Sequence, residues 1–190
     1  MKILLIDKDN PIPAGYKPVL EEVEHGYYME KNAARCMKKL LEAARKDGIT
    51  IEVFSAYRTY DYQQKLFDDD VQWNMSEGLS YEEAYKKTAS SIALPGRSEH
   101  NAGLAADLKG DDWDCDNWYN FEKTSTFKWL EKNAPRFGFI IRYPKDKTQI
   151  TNFIYEPWHF RYVGCPHAEI ITRKGITLKE YLELCNCKFK

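Results

Sequence analysis

Two stretches concentrate the residue types that can do hydrolytic chemistry. One is Ser98-Glu99-His100-Asn101-Ala102-Gly103-Leu104-Ala105-Ala106-Asp107, and the other is Glu156-Pro157-Trp158-His159. Between them they hold two of the four histidines, set among small or apolar residues together with acids. We read them as the halves of one zinc site, with His100, Asp107 and His159 as candidate ligands and Glu156 as the base beside the metal. A catalytic zinc takes three nitrogen or oxygen ligands and keeps one position open for water. Two neutral imidazoles and a single carboxylate leave the ion much of its Lewis acidity. Each half alone has a plainer reading, because a lone histidine on a strand is more often a satisfied core residue. The pairing of the halves, with a glutamate beside the last histidine, is what points to metal. The chain contains no H-E-x-x-H, which excludes the common helix-borne zinc protease motif.

The local sequence says how these groups are presented. Gly103 permits a turn between His100 and Asp107, so that the two converge from a loop and the strand after it, and Ala102, Ala105 and Ala106 allow close packing. Pro157 biases Glu156 to an extended conformation and makes a helix interior improbable there. Glu156 and His159 are therefore expected at a turn entering a strand.

Further elements must position these loops. Met1 to Asp7 is apolar for four residues before a charge and reads as an edge strand, followed by a turn-rich loop through Gly15. Met29 to Lys46 carries Ala33, Ala34, Met37, Leu40, Leu41 and Ala44 at helical spacing and closes at Asp47-Gly48. Ile49 to Ala56 alternates as a strand does. Thr59 is a candidate N-cap for a helix from Tyr60 toward Trp73, and Ser80-Tyr81-Glu82-Glu83 is a capping box opening another through Ser91. Thr126 to Asn133, Ala168 to Thr172 and Leu178 to Leu184 read as helices; Phe137 to Ile141 reads as a strand, and Ile150 to Phe160 as the start of another. The acidic run Asp111-Asp112-Trp113-Asp114 reads as a solvated loop. Without a regular βαβ rhythm this mixture predicts an α+β fold, one domain over residues 1–190.

Composition narrows the function classes. A formal net charge of −1 from 28 bases and 29 acids carries no basic stripe of the kind nucleic-acid binding needs. The 13 tyrosines and 5 tryptophans suit a carbohydrate- or peptide-facing groove and equally suit a core. The five cysteines are odd in number and lack a C-x-x-C pair, which argues against a disulfide framework and a thiolate zinc site and suits a reducing compartment; Cys185-x-Cys187 is read as a reduced pair. The apolar N-terminus is too short for a signal peptide or membrane span. The expected location is cytoplasmic, or the cell envelope if a leader has been removed.

The first stretch fits S-x-H-x-x-G-x-A-x-D at every fixed position and the second fits E-x-W-H. Together they resemble the signature of the zinc D-alanyl-D-alanine carboxypeptidases of the VanY and VanXY type, a group that also includes D-Ala-D-Ala dipeptidases, L,D-carboxypeptidases and some phage endolysins. The likeness extends to Ser55-Ala56-Tyr57-Arg58-Thr59 with Gln63, Pro95 to His100, Phe137-Gly138-Phe139, Arg142-Tyr143-Pro144, and Ile154 to Gly164. It implies an antiparallel sheet flanked by helices, of the Hedgehog/D,D-peptidase type, with His100, Asp107 and His159 holding one zinc ion and Glu156 as catalytic base. It implies Arg58 as the holder of the substrate's free carboxylate, whose planar fork a lysine could not match, and Gln63 and Ser98 as partners of the substrate backbone. The implied reaction removes the C-terminal D-alanine from peptidoglycan peptides or precursors. The alternatives are an L,D-carboxypeptidase, a D-Ala-D-Ala dipeptidase, a phage-type endopeptidase, and a zinc-stabilised binding module without catalysis, for which Glu156 would be superfluous.

Overall fold

The computed structural model describes residues 3–113 and 118–187. Its centre is a four-stranded antiparallel sheet in the order β3-β4-β6-β5, formed by β3 (Ile51–Ser55), β4 (Ala105–Gly110), β5 (Phe139–Ile141) and β6 (His159–Tyr162). A separate hairpin pairs β1 (Leu20–Glu24) with β2 (Tyr27–Glu30). Helices α1 (Lys31–Lys46), α2 (Tyr60–Ser76), α3 (Tyr81–Thr88), α4 (Ser125–Asn133), α5 (Thr148–Thr151), α6 (Cys165–Lys174) and α7 (Leu178–Cys187) complete it.

The helices form where periodicity and capping require. In α1 the buried residues Ala33, Ala34, Met37, Leu40, Leu41 and Ala44 make one apolar stripe, and they join Val53, Leu108, Phe139 and Phe160 of the sheet in the main core. Thr59 caps α2 by accepting from Tyr62 N, and Ser80 and Glu83 form a reciprocal capping box on α3. Among the described residues no helix is long and apolar enough to cross a membrane. Cys36, Cys165 and Cys185 are free thiols, while Cys115 and the side chain of Cys187 lie outside the described residues.

Two expectations are corrected and one element is added. Residues 3–6 join no sheet: Ile6 is buried in the main core, and the Leu4 and Ile6 carbonyls accept from Arg161 and Arg142 instead of from a strand. The β1–β2 hairpin, turning at His25-Gly26, was not foreseen. The strand expected from Ile150 begins only at His159, because α5 and the N–H-less Pro157 occupy the preceding segment. Asp111 and Asp112 are exposed, as a solvated loop requires, and Asp112 Oδ2 also accepts from Ser125 N and Thr126 N at the start of α4; Asp114 lies outside the described residues.

β4 and β6 are neighbours in the middle of the sheet, and their register sets Asp107 directly opposite His159. Residues opposed in this way present their side chains on one face within direct reach. The two halves of the candidate site are thus joined by the strand pairing itself.

Candidate metal centre

His100 comes from the loop before β4. Gly103 turns that loop with φ +67°, and a Cβ there would lie 2.7 Å from Glu30 N, whose N–H donates to Gly103 O at 2.8 Å. Only glycine accommodates both the left-handed conformation and this approach. Asn101 fastens the loop to the β3–α2 connection: its Nδ2 donates to Arg58 O at 2.8 Å and its Oδ1 accepts from Gly96 N at 3.0 Å. At the other half, His159 N donates to Glu156 O at 3.2 Å, the turn into a strand that Pro157 implied.

The three candidate ligands converge, each offering an atom within 4.8 Å of the others'. His100 Nε2 lies 3.4 Å from Asp107 Oδ2, and His159 Nδ1 lies 3.2 Å from Asp107 Oδ1. Donor atoms held at zinc bond lengths around a tetrahedral centre stand about 3.4 Å apart, so these spacings match. The buried Asp107 Oδ1 accepts no hydrogen bond. A buried carboxylate oxygen left without a donor is costly unless a cation fills the gap. His100 Nδ1 sits 2.7 Å from Ala56 O. A carbonyl only accepts, so Nδ1 carries the proton and Nε2 keeps its lone pair toward the cluster. The residues present therefore fit a divalent metal of zinc type.

Electrostatics in the metal-free chain fit the same picture. Burial, reinforced by Arg58, pushes His100 down to about 4, so it is neutral. For His159 burial acts downward too, but the Asp107 and Glu99 carboxylates beside its two ring nitrogens outweigh it and raise the group to about 9. Burial raises Glu156 to about 8, with Asp107 adding to it and His159 opposing. Asp107 ionises well below the usual carboxylate range, since His100, His159 and Arg58 outweigh its burial. Glu156 Oε2 lies 3.7 Å from His159 Nδ1, beside the cluster.

These groups open into a cleft of about 540 Å³. Arg58, Gln63 and Ser98 all line it, along with Tyr143 and an aromatic wall in which Trp118 and Trp158 meet edge to face at 5.2 Å. Arg58 is more committed than expected. Its Nη2 is 2.7 Å from Asp107 Oδ2, and Nε and Nη2 both donate to Ser55 Oγ, so Nη1 is the guanidinium nitrogen not engaged by these partners. Gln63 Nε2 donates to Ala93 O at 2.7 Å while its buried Oε1 has no partner. Ser98 Oγ accepts from His100 N at 3.3 Å. A second cavity of about 570 Å³ between α4, β5 and α6 holds none of these groups.

Sequence reasoning missed Glu99 and its two arginines. Glu99 is 1% exposed, its Oε1 accepts from Arg142 Nε and Arg161 Nη1 at 2.6 Å each, and its Oε2 faces His159 Nε2 at 3.4 Å. Glu99 falls at an unspecified position of the first motif, and the signal that could have found it was a third acid adjacent to a candidate ligand.

Comparison with known proteins agrees with this geometry. The family model described as VanY, D-alanyl-D-alanine carboxypeptidase, matches residues 26–165. A D-alanyl-D-alanine carboxypeptidase of Enterococcus faecalis is 38% identical over 95% of this chain, which spans 65% of that relative's length. Two solved structures are 39% identical and cover 95% of the chain. A VanY D,D-pentapeptidase variant from a VanB-type vancomycin-resistance cassette, in complex with Zn(II), has a TM-score of 0.84 and is covered over 97% of its length. VanYB in complex with D-alanine-D-alanine has a TM-score of 0.86 and is covered over 96%.

Proposed function

The chain belongs to the VanY family of D-alanyl-D-alanine carboxypeptidases, and from that premise we propose that it is a zinc metallopeptidase that removes the C-terminal D-alanine from peptidoglycan peptides or their precursors. The observation that carries this reading is the convergence of His100, Asp107 and His159 with Glu156 at their side, inside a cleft that also holds Arg58. In this reading the three residues hold one zinc ion. Zinc, when bound, supplies a Lewis acid that polarises the scissile carbonyl and makes water acidic enough to attack at neutral pH.

The remaining chemistry falls to the chain's own groups. Glu156 takes a proton from the attacking water on its carboxylate and returns it to the departing amine. Its buried position raises its basicity, which helps the first transfer, and the second needs only the same carboxyl group. Arg58 supplies the positive charge for the substrate's terminal carboxylate through Nη1, with Ser55 and Asp107 fixing the guanidinium plane. Gln63 Oε1 accepts an N–H from the substrate backbone, and the Ser98 hydroxyl proton is available to a substrate carbonyl. Trp118 and Trp158 form an aromatic wall of the same cleft.

The test is mass spectrometry of zinc-loaded protein incubated separately with a stem pentapeptide, a tetrapeptide and free D-Ala-D-Ala, with Glu156→Gln alongside. The expected result is loss of one alanine from the pentapeptide, none with Glu156→Gln, and full zinc content in both proteins. Normal turnover by Glu156→Gln, or no metal-dependent product from the pentapeptide, would overturn the reading.

A further inference from the structure

The second cavity lies behind the metal centre. Three chain segments run between it and the cleft and divide their side chains between the two. Tyr143 borders the cleft and Lys145 the second cavity; Glu156 borders the cleft and Tyr155 the cavity; His159 borders the cleft and Phe160 the cavity. Pro157 biases Glu156 to extended backbone, where successive side chains point to opposite sides. The partition is therefore one backbone thick. Its main chain is laced together, since Glu156 N donates to Tyr143 O and Arg142 N to His159 O, at 3.2 Å each. The base and one candidate ligand thus stand on a thin wall with a cavity of about 570 Å³ on its far side.

On the cavity side, the residue before the base is held by side chains. Lys145 Nζ lies 5.6 Å from the centre of the Tyr155 ring, within cation–π range, and Glu122 Oε1 fixes that ammonium at 2.9 Å. Burial, with the Glu122 and Glu131 carboxylates adding to it, pushes the phenol up, so the ring stays neutral and offers its π face to the cation. The segments Tyr143–Lys145 and Tyr155–Glu156 are therefore joined twice, once through the main chain and once through Lys145 and the ring. Glu122 brings in a third segment, the short 3-10 helix Trp118–Lys123, whose Trp118 stands in the cleft wall. We propose that Tyr155 is a positioning residue for the catalytic base: its ring, clamped by Lys145, keeps Glu156 from receding toward the second cavity. The inference rests on the reading of Glu156 as the base and adds how its place is kept. A general base must stand within hydrogen-bond reach of the water it deprotonates, and a misplacement of about 1 Å can cost about 100-fold in rate.

The test compares zinc-loaded wild type, Tyr155→Leu and Tyr155→Phe on a stem pentapeptide, well below their melting temperatures. Tyr155→Leu should lower kcat and kcat/KM together by about tenfold or more, with KM and zinc affinity kept. Tyr155→Phe, which retains the ring, should restore most of the loss. Lys145→Met combined with Tyr155→Leu should be no worse than Tyr155→Leu alone, because both changes break one clamp. Glu156→Asp supplies a readout that packing alone would not move. Its carboxylate is already drawn back, so adding Tyr155→Leu should cost it less than the same change costs wild type. Unchanged kcat in Tyr155→Leu, a loss carried in KM or zinc affinity, or full additivity with Glu156→Asp would overturn the proposal. Glu156→Gln keeps the two failures apart. Normal turnover there, or none by wild type, removes the base reading and this inference with it; an inactive Glu156→Gln beside an unaffected Tyr155→Leu removes the inference alone.

Discussion

Glu99 Oε2 stands 3.4 Å from His159 Nε2, on the far side of the imidazole from the atom that faces Asp107. A carboxylate behind a ligating histidine fixes the ring's orientation and raises its basicity. Here that carboxylate is itself fixed, because Arg142 and Arg161 both grip Oε1. Together they hold Glu99 ionised well below the usual carboxylate range, although its burial alone would raise it. Glu99→Gln is expected to weaken zinc affinity by about 10- to 100-fold, measured by competition with a chromogenic chelator. Glu99→Ala is expected to cost about 3–5 kcal/mol of stability as well, since it strands two buried guanidinium groups. Wild-type affinity in Glu99→Gln would show that the ring is positioned by other contacts.

The same arginines reach the N-terminal segment. Arg161 Nη2 donates to Leu4 O at 2.7 Å, and Arg142 Nη2 lies 3.4 Å from Ile6 O. Removing residues 1–6 takes away both acceptors and the burial of Ile6, a loss of about 3–5 kcal/mol by the usual worth of a buried aliphatic side chain and of charged hydrogen bonds. Thermal unfolding of the shortened chain should reflect that loss, and its zinc affinity should fall too, because Glu99 loses its fixed supports. Unchanged melting and affinity would show that the arginines find replacement partners.

Much of this was readable from residue types, and what was not has a common cause. Helical stripes such as Ala33-Met37-Leu40-Ala44 and caps such as Thr59 and Ser80 are local patterns, and they appear where periodicity places them. The convergence of His100, Asp107 and His159 followed from a motif whose ligands sit on short elements with a turn glycine between them. The Glu99 network was hidden because its partners lie 43 and 62 residues away in sequence and no periodicity links them. The N-terminal strand failed for a related reason. Its apolar pattern does mark burial, since Ile6 is fully enclosed, but tertiary arginines took the carbonyls that a neighbouring strand would have used.

Gly103 offers a direct test of the loop that delivers His100. A Cβ at this position would meet Glu30 N at 2.7 Å, and that atom belongs to a backbone already hydrogen-bonded to Gly103 O. Gly103→Ala should destabilise the protein by at least about 2 kcal/mol, from the left-handed conformation plus the displaced hairpin. Zinc affinity should drop with it. A variant with wild-type melting temperature and affinity would mean that the loop can re-form without the left-handed turn.

Acid–base linkage gives the last prediction, and its sign differs between the metal-free and loaded forms. In the metal-free chain His159 is raised from 6.5 to about 9 and Glu156 from 4.5 to about 8. A raised folded value means stability that is fully present below the ordinary value and lost as pH climbs through the folded one. His100, lowered from 6.5 to about 4, acts oppositely: its share is present above the ordinary value and lost as pH falls through the folded one. Chelated protein should therefore melt highest in weakly acidic solution, at roughly pH 5–6, and lose stability steadily toward pH 9. Zinc must displace the His159 proton to use Nδ1, and its charge favours ionised Glu156. Binding at pH 7 should then release one to two protons, with affinity rising about tenfold per pH unit for each proton released. Calorimetric titrations in two buffers of different ionisation enthalpy measure that number. No proton release at pH 7 would mean that His159 is already neutral in the metal-free protein, and that Glu99 and Asp107 orient the ring without charging it.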